Sequence, residues 1–279
     1  MPIHDQGYRR YAGERRRPGG AWRVIAQSAI RTQLSRRGFA ALLLLAWLPF
    51  LVRAVMIYGA INLPQARFLA PTVTTFRDFL GFQEIFLFFV SVYAGAGLIA
   101  NDRRANALPI YLSRPLTRLE YVGGKLASLV CFLLLVTWVP ALALLLVQVV
   151  FAGNLDFVVT HWRLVPAITL FAWVQALTVA MAVLALSSLS TSGRYVGVLY
   201  AALLFFTQAM TMVLRAVTGH SRLAWLSVAN SLEQLGHAAF GTRPQYDAPL
   251  IACLGMVVLV VVVSTVVLER RIRGVEVIA

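Results

Sequence analysis

Six stretches of the chain stay apolar for about 18 residues or more, long enough to cross a bilayer as helices. They run from Gly38 to about Tyr58, about Phe82 to Ala100, Tyr121 to about Phe151, about Leu164 to Leu189, about Tyr195 to Val217 and about Leu250 to Leu268. The third is long enough to tilt, or to break at Pro140, because proline supplies no helical N–H. Ahead of the first stretch the pattern changes. In "AWRVIAQSAIRTQLSRR" the residues Trp22, Ile25, Ala26, Ala29, Ile30 and Leu34 recur on one helical face, and Arg23, Gln27, Ser28, Arg31 and Ser35 occupy the other. That pattern predicts an amphipathic helix lying in a membrane interface, with Trp22, Ile25 and Ile30 as its interfacial residues.

Residues 218–247 are less apolar than their flanks and read as one or two short interfacial or re-entrant helices, or as a surface loop. Within them Asn230 and Glu233 have the spacing of a helix-start capping pair. The expected architecture is an all-α polytopic membrane protein. A mobile basic tail covers 1–20, the amphipathic helix 21–37, the six-span domain 38–268 and a short tail 269–279.

Composition agrees with lipid as the solvent. Hydrophobic residues make up 59% of the 279 and charged residues 13%, with a mean hydropathy of +0.76; soluble domains average about 45–50% and about 25%. The net charge is +14. Its placement favours topology over nucleic-acid binding, because the basic residues flank the apolar stretches and no nucleic-acid-binding motif accompanies them. Nine arginines precede residue 38. Arg103, Arg104, Arg114, Arg118 and Lys125 follow the second stretch, Arg194 follows the fourth, and Arg270, Arg271 and Arg273 follow the sixth, giving eighteen on one side. The other side holds six: Arg67, Arg77, Arg163, Arg215, Arg222 and Arg243. The richer side is expected to be cytoplasmic, with both termini on it. Arg36 and Arg37 in "SRRGFAALLLLAW" mimic a twin-arginine export signal, but five further apolar stretches make them an anchor for the first helix.

Reactive constellations are missing from the sequence. Cys131 and Cys253 sit inside apolar stretches without metal-ligand spacing, and His4, His161, His220 and His237 are scattered. No metal site and no catalytic residue is expected. Ser187, Ser188 and Ser190 have no neighbouring base and read as helix-end groups. "YVGGK" lacks the remainder of a phosphate-binding loop. Polar groups within the apolar stretches include Arg53, Glu84, Gln148, Gln175 and Gln208. Arg53 lies roughly 22 Å beyond Gly38 at the helical rise, near the depth expected for Glu84. The two could pair, or could join Gln175 in a translocation path, or could snorkel separately.

The densest polar stretch is "GLIANDRRANALPIYLSRPLTRLEYVGGKL", between the second and third apolar runs. Asp102, Arg103 and Arg104 mark the helix exit, Pro109 and Pro115 interrupt helix, and Thr117 to Glu120 forms a capping box flanked by Leu116 and Tyr121 at staple positions. A loop that is merely solvated needs no such sharply specified helix start.

This stretch resembles the signature between the second and third spans of type-2 ABC transporter permeases of the bacterial export type, through Asp102, Arg103, Ser113, Arg114, Pro115, Arg118, Gly124 and Lys125. Asn106 stands where the family often has glycine, and asparagine also visits the left-handed conformation readily. The resemblance implies a permease subunit of the bacterial plasma membrane, paired with a second permease copy and docked on a separate ATPase subunit. ATP and Mg would be held by that partner, and this chain would carry no cofactor and no catalytic role. Loop 101–120 would be the coupling element, with Asp102, Arg103, Arg104, Arg114, Pro115, Leu116, Arg118, Leu119 and Glu120 as its residues and the amphipathic helix as the connecting helix. Readings outside the family are an ATPase-independent channel or assembly scaffold, and a lipid-modifying membrane enzyme.

Overall fold

The computed structural model describes residues 20–107 and 117–272; the basic tail before residue 20, the loop segment 108–116 and the last seven residues lie outside them. The described residues form helices and no strand. Helix α1 (Ala21–Leu34) precedes a first span made of α2 (Arg37–Ala46) and α3 (Leu48–Asn62). The second span comprises α4 (Val73–Phe82), α5 (Glu84–Gly95) and α6 (Gly97–Arg104), and the third comprises α7 (Arg118–Val136) and α8 (Trp138–Ala152). A short α9 (Asp156–Thr160) leads to the fourth span, α10 (Leu164–Leu189), and then to the fifth, α11 (Gly193–Thr218). A 3-10 turn at Arg222–Leu226 and helix α12 (Val228–Phe240) precede the sixth span, α13 (Leu250–Arg271). All six spans are long and apolar enough to cross a membrane.

The second, third and fourth spans form the centre. Between 50% and 61% of their most apolar windows is buried inside the protein, against 17% for the first, fifth and sixth. The outer three expose residues such as Leu44, Phe205 and Ile251, the last at 86%. Apolar surface of this extent would be costly in water and is neutral against acyl chains.

Three spans are broken, for two different reasons. The third parts at Thr137 and not at Pro140 itself. Pro140 has no N–H to give the carbonyl four residues earlier and its ring crowds that turn, so the helix opens one turn upstream. Thr137 meets the break with its own hydroxyl, which donates to Leu133 O at 2.8 Å. The first span parts in the same way at Trp47, two residues before Pro49.

The second span contains no proline, yet it parts at Gln83 and Ala96, and it starts at Val73, nine residues before its apolar run. Hydrogen bonds between side chain and backbone on different helices accompany these breaks. Fully buried Gln83 donates through Nε2 to Ala46 O at 3.0 Å, tying its break to the one in the first span. Fully buried Ser187 of α10 donates to Ala96 O (2.8 Å) and accepts from the backbone N–H of Ile99 (3.1 Å) and Ala100 (3.0 Å). Backbone groups released within lipid need such replacements, because no water is present to supply them.

Helix α1 lies against α7, with Ile25, Ala29 and Ile30 packed on the central core and Ala26 and Gln33 buried. The approach is close enough that a Cβ on Gly124 would fall 2.8 Å from both Ile25 Cβ and the carbonyl of Trp22, whereas Gly123 faces open space. Farther along the chain, α12 starts at Ser227, whose hydroxyl accepts from Asn230 N at 3.4 Å. The Asn230–Glu233 pair is therefore not the cap. Ser227 has the extended backbone of a capping residue, and Asn230 already lies in the first turn.

Candidate functional site: a clamped loop and a buried acid at opposite ends

The end of the bundle that carries α1 is organised around the exit of the second span and the start of the third. Thr117 and Glu120 form a reciprocal capping box: Thr117 Oγ1 accepts from Glu120 N (3.2 Å), and Glu120 Oε2 accepts from Thr117 N (3.0 Å). Glu120 Oε1 also accepts from Ala21 N at 3.4 Å. One carboxylate thus satisfies free donors at the starts of both α7 and α1, where the helix dipoles favour negative charge.

Nearby, Asp102 Oδ2 accepts from Tyr121 Oη (2.7 Å) and lies 2.8 Å from Lys125 Nζ. The pair is largely shielded, with side-chain exposures of 18% for Asp102 and 13% for Lys125. It joins the last turn of α6 to the first turns of α7. Arg103 donates to the carbonyl of Ser188 and fixes the same exit to the end of the fourth span. Asn106 follows with φ of 49°, the left-handed conformation that permits the chain to leave α6.

The expected loop residues therefore divide by what they touch. Asp102, Arg103 and Glu120 are engaged within the chain, whereas Arg104, Arg118 and Leu119 face outward, Leu119 at 84% exposure. Arg114, Pro115 and Leu116 lie outside the described residues. Of the three residues read as interfacial, Trp22 is exposed, while Ile25 and Ile30 are turned toward the protein.

The opposite end carries the intramembrane charge. Glu84 starts α5 and accepts from Gln175 Nε2 at 3.2 Å. Arg53 forms no ion pair with it, nor with any other acid among the described residues. The arginine near Glu84 is instead Arg77, which is bonded to Glu233 (2.8 Å) and Asp78 (3.2 Å). Glu233 also accepts from Tyr246 Oη (3.2 Å), which bonds Asn230 Oδ1 at 3.2 Å as well; Asn230 in turn donates to Thr211 Oγ1 at 3.2 Å. This chain of bonds ties α4, α12, the segment before the sixth span and α11 together. Burial, followed by the Glu233 carboxylate, pushes the Tyr246 phenol up to about 12. Ser187, Gln83 and Arg77 carried no sequence motif. The nearest available signal was that each is a polar residue within or beside an apolar run.

No protein-family model matches the chain, and no curated protein is significantly similar to it.

Proposed function

We propose that this multi-pass membrane protein is the permease subunit of an export-type ABC transporter of the bacterial plasma membrane, working with a separate ATPase subunit and a second permease copy. The observation that carries the reading is the organisation of the loop after the second span. Its polar residues resemble the permease signature, and its two ends are locked to one another by Asp102, Lys125 and Tyr121. A rigidly footed loop of this kind can pass a push from a docked partner into the second and third spans. Arg104, Arg118 and Leu119 stand free for that partner, and Arg114, Pro115 and Leu116 continue the same stretch. Helix α1, bonded to the loop through Glu120, would move with it. On this reading the α1 end is cytoplasmic, in agreement with the eighteen-to-six division of basic residues. ATP and Mg belong to the partner, and differential contact of the loop with nucleotide-bound ATPase would drive the alternation of states.

Co-purification of the full chain with candidate ATPase subunits tests this directly. The wild type should retain an ATPase whose activity responds to the permease, and Arg114→Glu/Arg118→Glu should lose that response. A wild type that recruits no ATPase overturns the reading; a variant that couples normally overturns the docking assignment alone.

A further inference from the structure

The end of the bundle opposite α1 holds two adjoining cavities that share Glu84. One, of about 340 Å³, is lined among others by Arg77, Asp78, Phe82, Glu84, Phe171 and Glu233. The other, of about 70 Å³, lies between the second, fourth, fifth and sixth spans and α12. Glu84 and Gln175 sit on its wall amid Leu87, Phe88, Val179 and Leu232. The charge here opposes that of the whole chain. Lys and Arg outnumber Asp and Glu by 25 to 11 overall, yet the larger cavity gathers three carboxylates around one arginine. Arg77 is committed to Asp78 and Glu233. Glu84 has no ion pair among the described residues and is met by the Gln175 amide alone. Gln175 is 1% exposed, and once its Nε2 has donated to Glu84 its Oε1 has no hydrogen-bond partner. A buried amide oxygen without a partner, beside a carboxyl group that forms no ion pair, is costly unless the carboxyl takes up a proton or a positively charged group with N–H donors arrives.

We infer that Glu84 and Gln175 form a binding site for a primary organic ammonium bearing a slender apolar chain. The Glu84 carboxylate supplies the counter-charge and Gln175 Oε1 accepts a second N–H. Phe82 and Phe171 offer aromatic surface beside the cation in the larger cavity. The narrow hydrocarbon-walled cavity takes the start of the apolar chain. A calcium ion is a poor fit, because it requires about 6–8 oxygen ligands and two of the three carboxylates, Asp78 and Glu233, are already bonded to Arg77. An anion would meet three carboxylates. The larger cavity falls within the roughly 300–1,000 Å³ typical of small-molecule sites. As cargo, the ammonium rests on the transporter reading above; its binding does not.

The test uses the full chain purified in a neutral detergent, titrated calorimetrically with hexylammonium, hexanol and hexanoate at neutral pH. Wild type should bind hexylammonium about tenfold or more tighter than either, a difference of about 1.4 kcal/mol. Glu84→Gln should abolish that preference, and Gln175→Leu should weaken hexylammonium about three- to tenfold. Equal binding of hexylammonium and hexanol by wild type overturns the site, as does a preference that survives Glu84→Gln. Should Glu84→Gln fail to fold, the wild-type comparison still decides. ATPase recruitment separates the two ideas. Ammonium preference without recruitment leaves the site and removes the transporter, and recruitment without preference does the reverse.

Discussion

Single side chains settle this protein's polar questions by choosing partners far away in sequence. Asp102 illustrates this, because its position after the second span suggests a surface acid, yet it is shielded between Tyr121 and Lys125. Asp102→Asn should lower stability by about 1–3 kcal/mol, since it leaves a partly buried ammonium without its counter-charge. Thermal melts in detergent would show this, and a double-mutant cycle with Lys125→Met should return a coupling of the same sign. A melt unchanged by Asp102→Asn would mean the ion pair is fully solvated. Tyr246 gives a pH signature. Its folded pKa, about 12, lies above the ordinary phenol value of 10, so the neutral form is favoured in the folded state. The stability it contributes is complete below pH 10 and is lost as pH rises toward 12. Tyr246→Phe should flatten that loss, as read by melts from pH 9 to 12.

At the scale of elements, the informative contrast is between two adjacent glycines. Gly123 and Gly124 look alike in "YVGGK", but only Gly124 lies where α1 presses on α7. Gly124→Ala must displace Ile25 and the Trp22 backbone, and should cost about 1–3 kcal/mol as overpacking. Gly123→Ala should be neutral or stabilising by up to about 1 kcal/mol, because it removes helix-interior flexibility without a clash. Tryptophan fluorescence together with limited proteolysis near residue 20 would follow release of α1; equal behaviour of the two variants would contradict the packing. The broken spans carry the same lesson. A proline marks a break within one turn, as Pro49 and Pro140 do, whereas the breaks at Gln83 and Ala96 become intelligible only with Ala46 and Ser187 in view.

For the whole molecule, the two ends differ in kind. The α1 end is basic and bonded through local caps and clamps, and the opposite end carries a half-open acidic cavity lined by residues of α4, α5, α10 and α12. Orientation can be read by labelling. With Cys131 and Cys253 replaced, a cysteine at Arg118 should react only with reagent admitted to the cytoplasm. One at Arg243 should react with impermeant reagent added outside. The reverse pattern would invert the topology and remove the docking surface from reach of a cytoplasmic ATPase.

The sequence by itself determined the six spans, because lipid demands a continuous apolar run in each and tolerates no unpaired backbone. It also determined the Thr117–Glu120 cap, because a cap depends on residues within one turn of each other. Tertiary structure alone decided which way each helix faces. The helical rise puts Arg53 and Glu84 at similar depth, but packing sets the rotation, and it turned Glu84 to Gln175 and left Arg53 apart. The same packing sent Glu120 to the start of α1, 99 residues away, and Arg77 to Glu233, 156 residues away. Burial among close-packed helices, which no local pattern encodes, is what converts scattered polar residues into a clamp at one end and an acidic cavity at the other.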